Sequence, residues 1–158
     1  ILGLAKWHDI AENTEWGVLL LFGGGLTLSA VLGDSGASKV LGDLVAHTFG
    51  GAPTYIVLLV TAVFIICLTE FTSNTASAAL LVPVFAGVAA QMGLPKETLT
   101  IVIGVGASCA FIMPVATPPN ALVFGTGRIR QAEMVRSGGI LAIFSAFLVS
   151  GYAYIFYS

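Results

Sequence analysis

The chain has 158 residues, one domain's worth for a water-soluble protein, yet 57% of them are apolar and only 9% are charged. Soluble domains carry roughly 25% charged residues, so a mean hydropathy of +0.99 excludes a surface built for water and points to a membrane protein. A formal net charge of −2 with six Lys and Arg leaves no electrostatic footprint for nucleic acid. Cys67 and Cys109 both sit inside apolar runs and fit small core residues, not a metal site or a disulfide framework. The first residue is Ile1 and no signal-peptide pattern follows it, which fits a piece of a longer protein.

The charges leave uncharged windows at 16–33, 44–69, 71–95, 98–127 and 137–158, several of them near the ~20 residues that a bilayer-crossing helix needs. Region 1–52 begins with a polar lead-in holding Lys6, His8, Asp9, Glu12 and Glu15, and Trp16 marks a water–lipid boundary. A transmembrane helix through Leu32 follows. Its run Gly23, Gly24, Gly25 permits close approach by a neighbouring helix, with packing the plain reading. From 33 to 51, Asp34, Lys39 and Asp43 are interspersed with Val40, Leu41, Leu44 and Val45, the pattern of an amphipathic helix in the interface plane that Gly50, Gly51 and Pro53 end. His47 reads there as an interfacial side chain.

Region 53–92 holds two apolar arms, Pro53–Leu68 and Ala76 to about Ala90, meeting at the polar cluster Thr69–Thr75. An arm of about sixteen residues rises roughly 24 Å, short of the ~30 Å hydrocarbon thickness. Two short arms and a polar tip fit a re-entrant helical hairpin better than two crossings, with Pro83 expected to kink the second arm. In region 93–127, Gly93, Pro95, Lys96 and Glu97 form a turn, and a helix is expected from Thr98 to about Met113. Pro114, Pro118 and Pro119 forbid its continuation until Pro118 or Asn120, making a broken transmembrane helix over 114–120. Region 128–158 is a loop with Arg128, Arg130 and Arg136, then a last crossing at Ser137–Ser158. The positive-inside tendency puts the Arg loop in the cytoplasm. Counting crossings then places the C-terminus and the Lys96–Glu97 turn outside, the hairpin entering from outside and Lys6 inside. The fold class is thus an all-α membrane protein.

Unwound backbone survives at membrane depth only where protein, water or an ion satisfies it. At 69–75 and 114–120 each break precedes a helix start, capped by Asn74 or Thr75 in the first case and by Thr117 with Pro118 in the second. Helix N-termini favour anions. Unwound carbonyls, the Asn74 amide oxygen and the hydroxyls of Thr69 or Thr72 are hard neutral oxygens that suit Na⁺. Ser77 and Ser108 read as ordinary interhelical hydrogen-bonding residues. Glu70 is the only charge between Asp43 and Lys96; it has three roles open to it, as cation ligand, proton carrier or structural carboxylate paired with a residue outside this chain. No Arg or Lys lies near either break, so an anionic solute would depend on helix dipoles, amide donors and bound cations.

The runs Thr-Glu-Phe-Thr-Ser-Asn-Thr-Ala-Ser-Ala (69–78) and Ser-Cys-Ala-Phe-Ile-Met-Pro-Val-Ala-Thr-Pro-Pro-Asn-Ala (108–121) resemble the divalent anion/sodium symporter family, and the glycine run of 16–26 matches as well. The resemblance implies a secondary transporter of succinate, malate and fumarate built from two inverted repeats. Each repeat has a Ser-Asn-Thr hairpin tip, and the protein forms a homodimer in the bacterial inner membrane. This chain looks like most of the second repeat, with Ser73, Asn74 and Thr75 as the signature. By that resemblance Thr69, Thr72 (through its backbone carbonyl), Asn74 and Ala116 surround a sodium ion, while Ser73, Asn74, Thr75, Thr117 and Pro118 face the dicarboxylate. Only one Ser-Asn-Thr occurs here, so the first-repeat hairpin is expected about 200 residues upstream in the parent protein, and this chain alone is not expected to transport.

The rival readings are a sodium-independent dicarboxylate exchanger, a sulfate carrier, and a channel or structural membrane subunit that uses the breaks for packing. No nucleophile–base pair, metal-binding His pair or Gly-x-Ser-x-Gly elbow marks an enzyme.

Overall fold

The computed structural model describes residues 7–13, isolated positions between 16 and 44, and 52–158 throughout. Among these residues every regular element is helical: α1 (Trp7–Asn13), α2 (Thr54–Thr69), α3 (Asn74–Gln91), α4 (Lys96–Gly106), α5 (Pro118–Gly125) and α6 (Gln131–Tyr157). Most of the expected helix at 16–32, most of the interfacial helix at 33–51, and His47 lie outside the described residues. At the boundary, the Trp16 indole N–H donates to the Ala11 carbonyl at 2.8 Å, and the Trp7 and Trp16 rings meet edge-on.

Pro53 sets the entry to α2, whose inward face carries Val57, Leu58, Thr61, Ala62, Ile65, Ile66 and Thr69, spaced three and four apart. Its outward face carries Ile56, Val60, Val63 and Phe64. α3 ends where Gly93 turns left-handed at φ 71 and the Leu94 N–H reaches back to the Ala89 carbonyl at 2.9 Å, a glycine termination. Pro95 then restarts the chain as α4.

α4 is the hub. It packs against α3 on one side and against α2 and α6 on the other, while α2 also runs along α6 and touches α3 only lightly. Leu58, Ile65, Leu99, Val102 and Ile103 are completely enclosed at this junction. α6 contributes small residues, Ala142, Ala146 and Ala153, so that the helices approach closely. Its other face exposes Ile140, Ile143, Phe144, Phe147, Leu148, Ile155 and Phe156, as a lipid-facing or partner-facing helix does. Two helices, α3 and α6, are long and apolar enough to cross a membrane, and α2 is apolar but shorter.

Four expectations need correction. The helix expected to reach Met113 stops at Gly106, and the non-helical stretch is 107–117, not 114–120. Glycines at 104 and 106 weaken the helix there, and the amides of Ile112 and Met113, which would extend the ladder, bond elsewhere, as described below. The turn after α3 is shorter, with Lys96 and Glu97 already inside α4. The Arg loop is shorter as well: α6 begins at Gln131 and includes Arg136. Glu133 draws that start back by accepting the Arg130 backbone N–H at 3.0 Å and its guanidinium at 2.8 and 3.1 Å. This pairing holds the Glu133 carboxyl below its ordinary range. Finally, Cys67, expected among the core residues, is exposed.

Two glycines permit the tightest crossings. A Cβ on Gly106 would lie 2.6 Å from the Ile65 Cγ2, and one on Gly138 would lie 2.1 Å from the Phe111 carbonyl oxygen and 2.9 Å from the Ile112 Cα. The second obstacle is backbone and cannot rotate aside. Gly138→Ala is therefore expected to cost about 1–3 kcal/mol. Gly139→Ala, with nothing within 4 Å, should stay within about 0.5 kcal/mol. Thermal melting of the detergent-solubilised protein separates the two, and equal melting temperatures contradict the close approach of α6 to the loop.

Candidate solute site at two helix breaks

The first break is short. Thr69 closes α2 and Asn74 opens α3, leaving 70–73 between them. Ser73, not Asn74 or Thr75, is the cap: its backbone is extended and its hydroxyl accepts the Ala76 N–H at 3.3 Å. Asn74 and Thr75 thus occupy the first turn, where backbone N–H groups fall outside the intrahelical ladder. Thr69, fully buried, shares its hydroxyl proton between the Ile65 and Ile66 carbonyls at 2.9 and 3.1 Å. Thr72 donates to the Leu68 carbonyl at 2.9 Å, so Ser77 is the donor in its 2.8 Å contact with Thr72. Both threonine protons are directed to carbonyls of α2, which leaves lone pairs free on Thr69 and, beside the one that Ser77 occupies, one on Thr72.

Asn74 differs from its neighbours. Its Oδ1 is buried and has no hydrogen-bond partner, a state that costs about 1–3 kcal/mol for a neutral acceptor.

The second break is long, and two side chains satisfy its backbone. Glu70, 3% exposed, accepts the Ile112 N–H on Oε1 at 2.9 Å and the Met113 N–H on Oε2 at 2.7 Å. In a continuous helix these amides would bond to Ser108 and Cys109. From the other side, the Asn120 Nδ2 donates to the carbonyls of Ala110 at 3.2 Å and Met113 at 3.1 Å. Thr117 then caps α5 through a long 3.4 Å contact from the Asn120 N–H, with Pro118 at the first helical position. Because Pro118 and Pro119 have no N–H and the Asn120 amide meets Thr117, the α5 N-terminus offers its dipole but few donors. The start of α3, by contrast, has no proline in its first turn.

A sequence profile of the family described as sodium:sulfate symporter transmembrane region matches residues 1–157. The chain belongs to the divalent anion/sodium symporter family. It is accordingly a membrane protein. Similar proteins include an uncharacterized transporter of Haemophilus influenzae, 56% identical over 98% of this chain and 34% of that protein. An uncharacterized transporter of Methanocaldococcus jannaschii is 39% identical over 99% of this chain and 35% of its own length. The sodium-dependent dicarboxylate transporter SdcS of Staphylococcus saprophyticus is 41% identical over 82% of this chain and 25% of its own length. The chain spans about a third of the first two relatives and a quarter of the third.

Within this symporter-family chain, Glu70 ties the two breaks together directly. Asn74 lies four residues beyond Glu70 and Thr117 four beyond Met113, each within about 14 Å of the bridge by chain length alone. Ala116 sits in the turn between them, its N–H bonded to the Met113 carbonyl at 3.2 Å. Thr75 is exposed, whereas Ala116 and Thr117 are half-buried. Two features escaped the sequence reading. The partners of Glu70 are backbone amides inside this same chain, and amides carry no sequence signature. Asn120 was visible in the motif, but its two carbonyl partners depend on how the loop folds.

Asn120→Ala removes both carbonyl contacts and is expected to destabilise the protein by about 1–3 kcal/mol. Amide hydrogen exchange should rise across 107–117. Unchanged exchange in that stretch contradicts the bracing role of Asn120.

Proposed function

We propose that the chain is one half of the solute site of a sodium-coupled symporter for C4 dicarboxylates in a bacterial inner membrane. The observation that carries this reading is the buried, unpartnered Oδ1 of Asn74. A neutral oxygen held out of water without a donor is suited to a cation, and a cation beside the α3 N-terminus offsets the charge of an anion bound there. The similarity to the sodium-dependent dicarboxylate transporter of Staphylococcus saprophyticus supports the pairing of sodium with a dicarboxylate.

In this reading the sodium ion is cargo, held by the Thr69 and Thr72 oxygens, Asn74 Oδ1 and the Ala116 backbone. The last turn of α2 leaves carbonyls over and Thr72 lies in the non-helical 70–73 segment, so both threonines take part mainly through backbone oxygens. The dicarboxylate lies against Ser73, the Asn74 and Thr75 amides, the Thr117 hydroxyl and Pro118. α2 and α3 form the re-entrant hairpin, α4 and α5 the broken helix, and α6 the last crossing of the second inverted repeat. The first repeat of the same protein supplies the other half, and the whole assembles as a homodimer.

The test uses the full-length parent protein in proteoliposomes. Succinate uptake should require an inward sodium gradient, and Asn74→Ala or Thr117→Ala should cut it at least about tenfold, the equivalent of ~1.4 kcal/mol, with expression intact. Sodium-free counter-transport from preloaded vesicles points to an exchanger, and sulfate uptake in place of succinate reassigns the anion. Variants that transport normally leave the breaks a packing role.

A further inference from the structure

Glu70 is the one buried carboxylate among the described residues, and the proposed solute ligands make no use of it. Its oxygens accept from Ile112 and Met113 at 2.9 and 2.7 Å, which fixes where the 107–117 loop begins its return toward Ala116 and Thr117. On its own side, Glu70 immediately follows Thr69 and stands four residues before Asn74. One carboxylate therefore sets the distance between the 69–75 tip and the Ala116–Thr117 end of the loop, each of which contributes to both the sodium and the anion sets. We infer that Glu70 is a positioning residue that holds the α2–α3 tip and the 107–117 loop in register, so that each solute meets ligands from both, while Glu70 touches neither solute.

This role rests on the transport reading above and makes a claim that reading does not. A cation ligand and a proton carrier would each act on one solute or one step. A strut acts on both solutes at once, because both ligand sets hang from the same pair of hydrogen bonds. Glu70→Gln is the sharp probe. It keeps the size and one acceptor oxygen but places an NH₂ against the second amide, so one of the two bonds is lost. Glu70→Asp keeps both acceptors but is one methylene short.

Glu70→Gln in the full-length protein, reconstituted in proteoliposomes, should raise the half-saturating sodium concentration and the KM for succinate together, each by about tenfold. The maximal rate should stay within about threefold. Hydrogen exchange should quicken in 107–117 while the α6 core keeps its protection. Glu70→Asp should fall between wild type and Glu70→Gln in both constants. A shift in the sodium constant alone, with succinate KM unchanged at saturating sodium, makes Glu70 a cation ligand and overturns the inference. A collapsed rate with unchanged binding constants makes it a proton carrier, with the same consequence. Faster loop exchange without any change in the two constants reduces Glu70 to a structural residue and overturns it too. If the wild type takes up neither solute, the transport reading fails by itself. Loop exchange in Glu70→Gln then still decides whether the strut exists, and unchanged exchange there refutes it.

Discussion

Two hydrogen bonds from one carboxylate decide the shape of this protein. In a membrane protein, unwound backbone kept from water needs other partners, and 107–117 leaves the helix with other groups replacing part of its lost ladder. Glu70 takes two amides and Asn120 gives to two carbonyls. The long break is therefore held from both sides, by the end of α2 and by the start of α5. Without Glu70 the same residues could recover their bonds by extending α4, and the link between the α2–α3 tip and the loop at Ile112 and Met113 would be lost.

The remaining geometry follows from that bridge. α4 ends early because its continuation is held elsewhere, and α6 passes within touching distance of the displaced loop because position 138 has no side chain. At the tip, Ser73, Thr69 and Thr72 all find protein partners, whereas the Asn74 oxygen is left over. A leftover acceptor beside a helix N-terminus is a favourable place for a cation and an anion to sit side by side. No Lys or Arg stands in either break, so in the proposed site the charge of an anion would be offset by a bound cation and by amide donors.

The sequence made the class of the protein legible, because charge depletion and uncharged windows are properties of composition. The arms at 54–69 and 74–91 were legible too, since apolar runs end where Ser, Asn and Thr begin. The cap of α5 was readable from Thr117 and Pro118, as that pair has local chemistry. The other break was misplaced by several residues because prolines mark where a helix must not continue, not where it already stopped. Nothing in the residues from Ala107 to Met113 announces a loop. Their conformation is imposed by Glu70 from more than forty positions away, and its two partners are backbone groups that every residue but proline has. The first-turn cap shows the same limit at short range: Ser73, Asn74 and Thr75 are all plausible caps, and only the backbone conformation chooses Ser73.

The most direct measurement is an experimental map of the full-length protein in sodium and succinate, read at the Asn74 Oδ1. The account predicts a cation against that oxygen, the anion beside the α3 N-terminus, and Glu70 still engaged with Ile112 and Met113. An Asn74 oxygen bonded to another part of the protein with the ion elsewhere, or a continuous helix through 107–117, contradicts it.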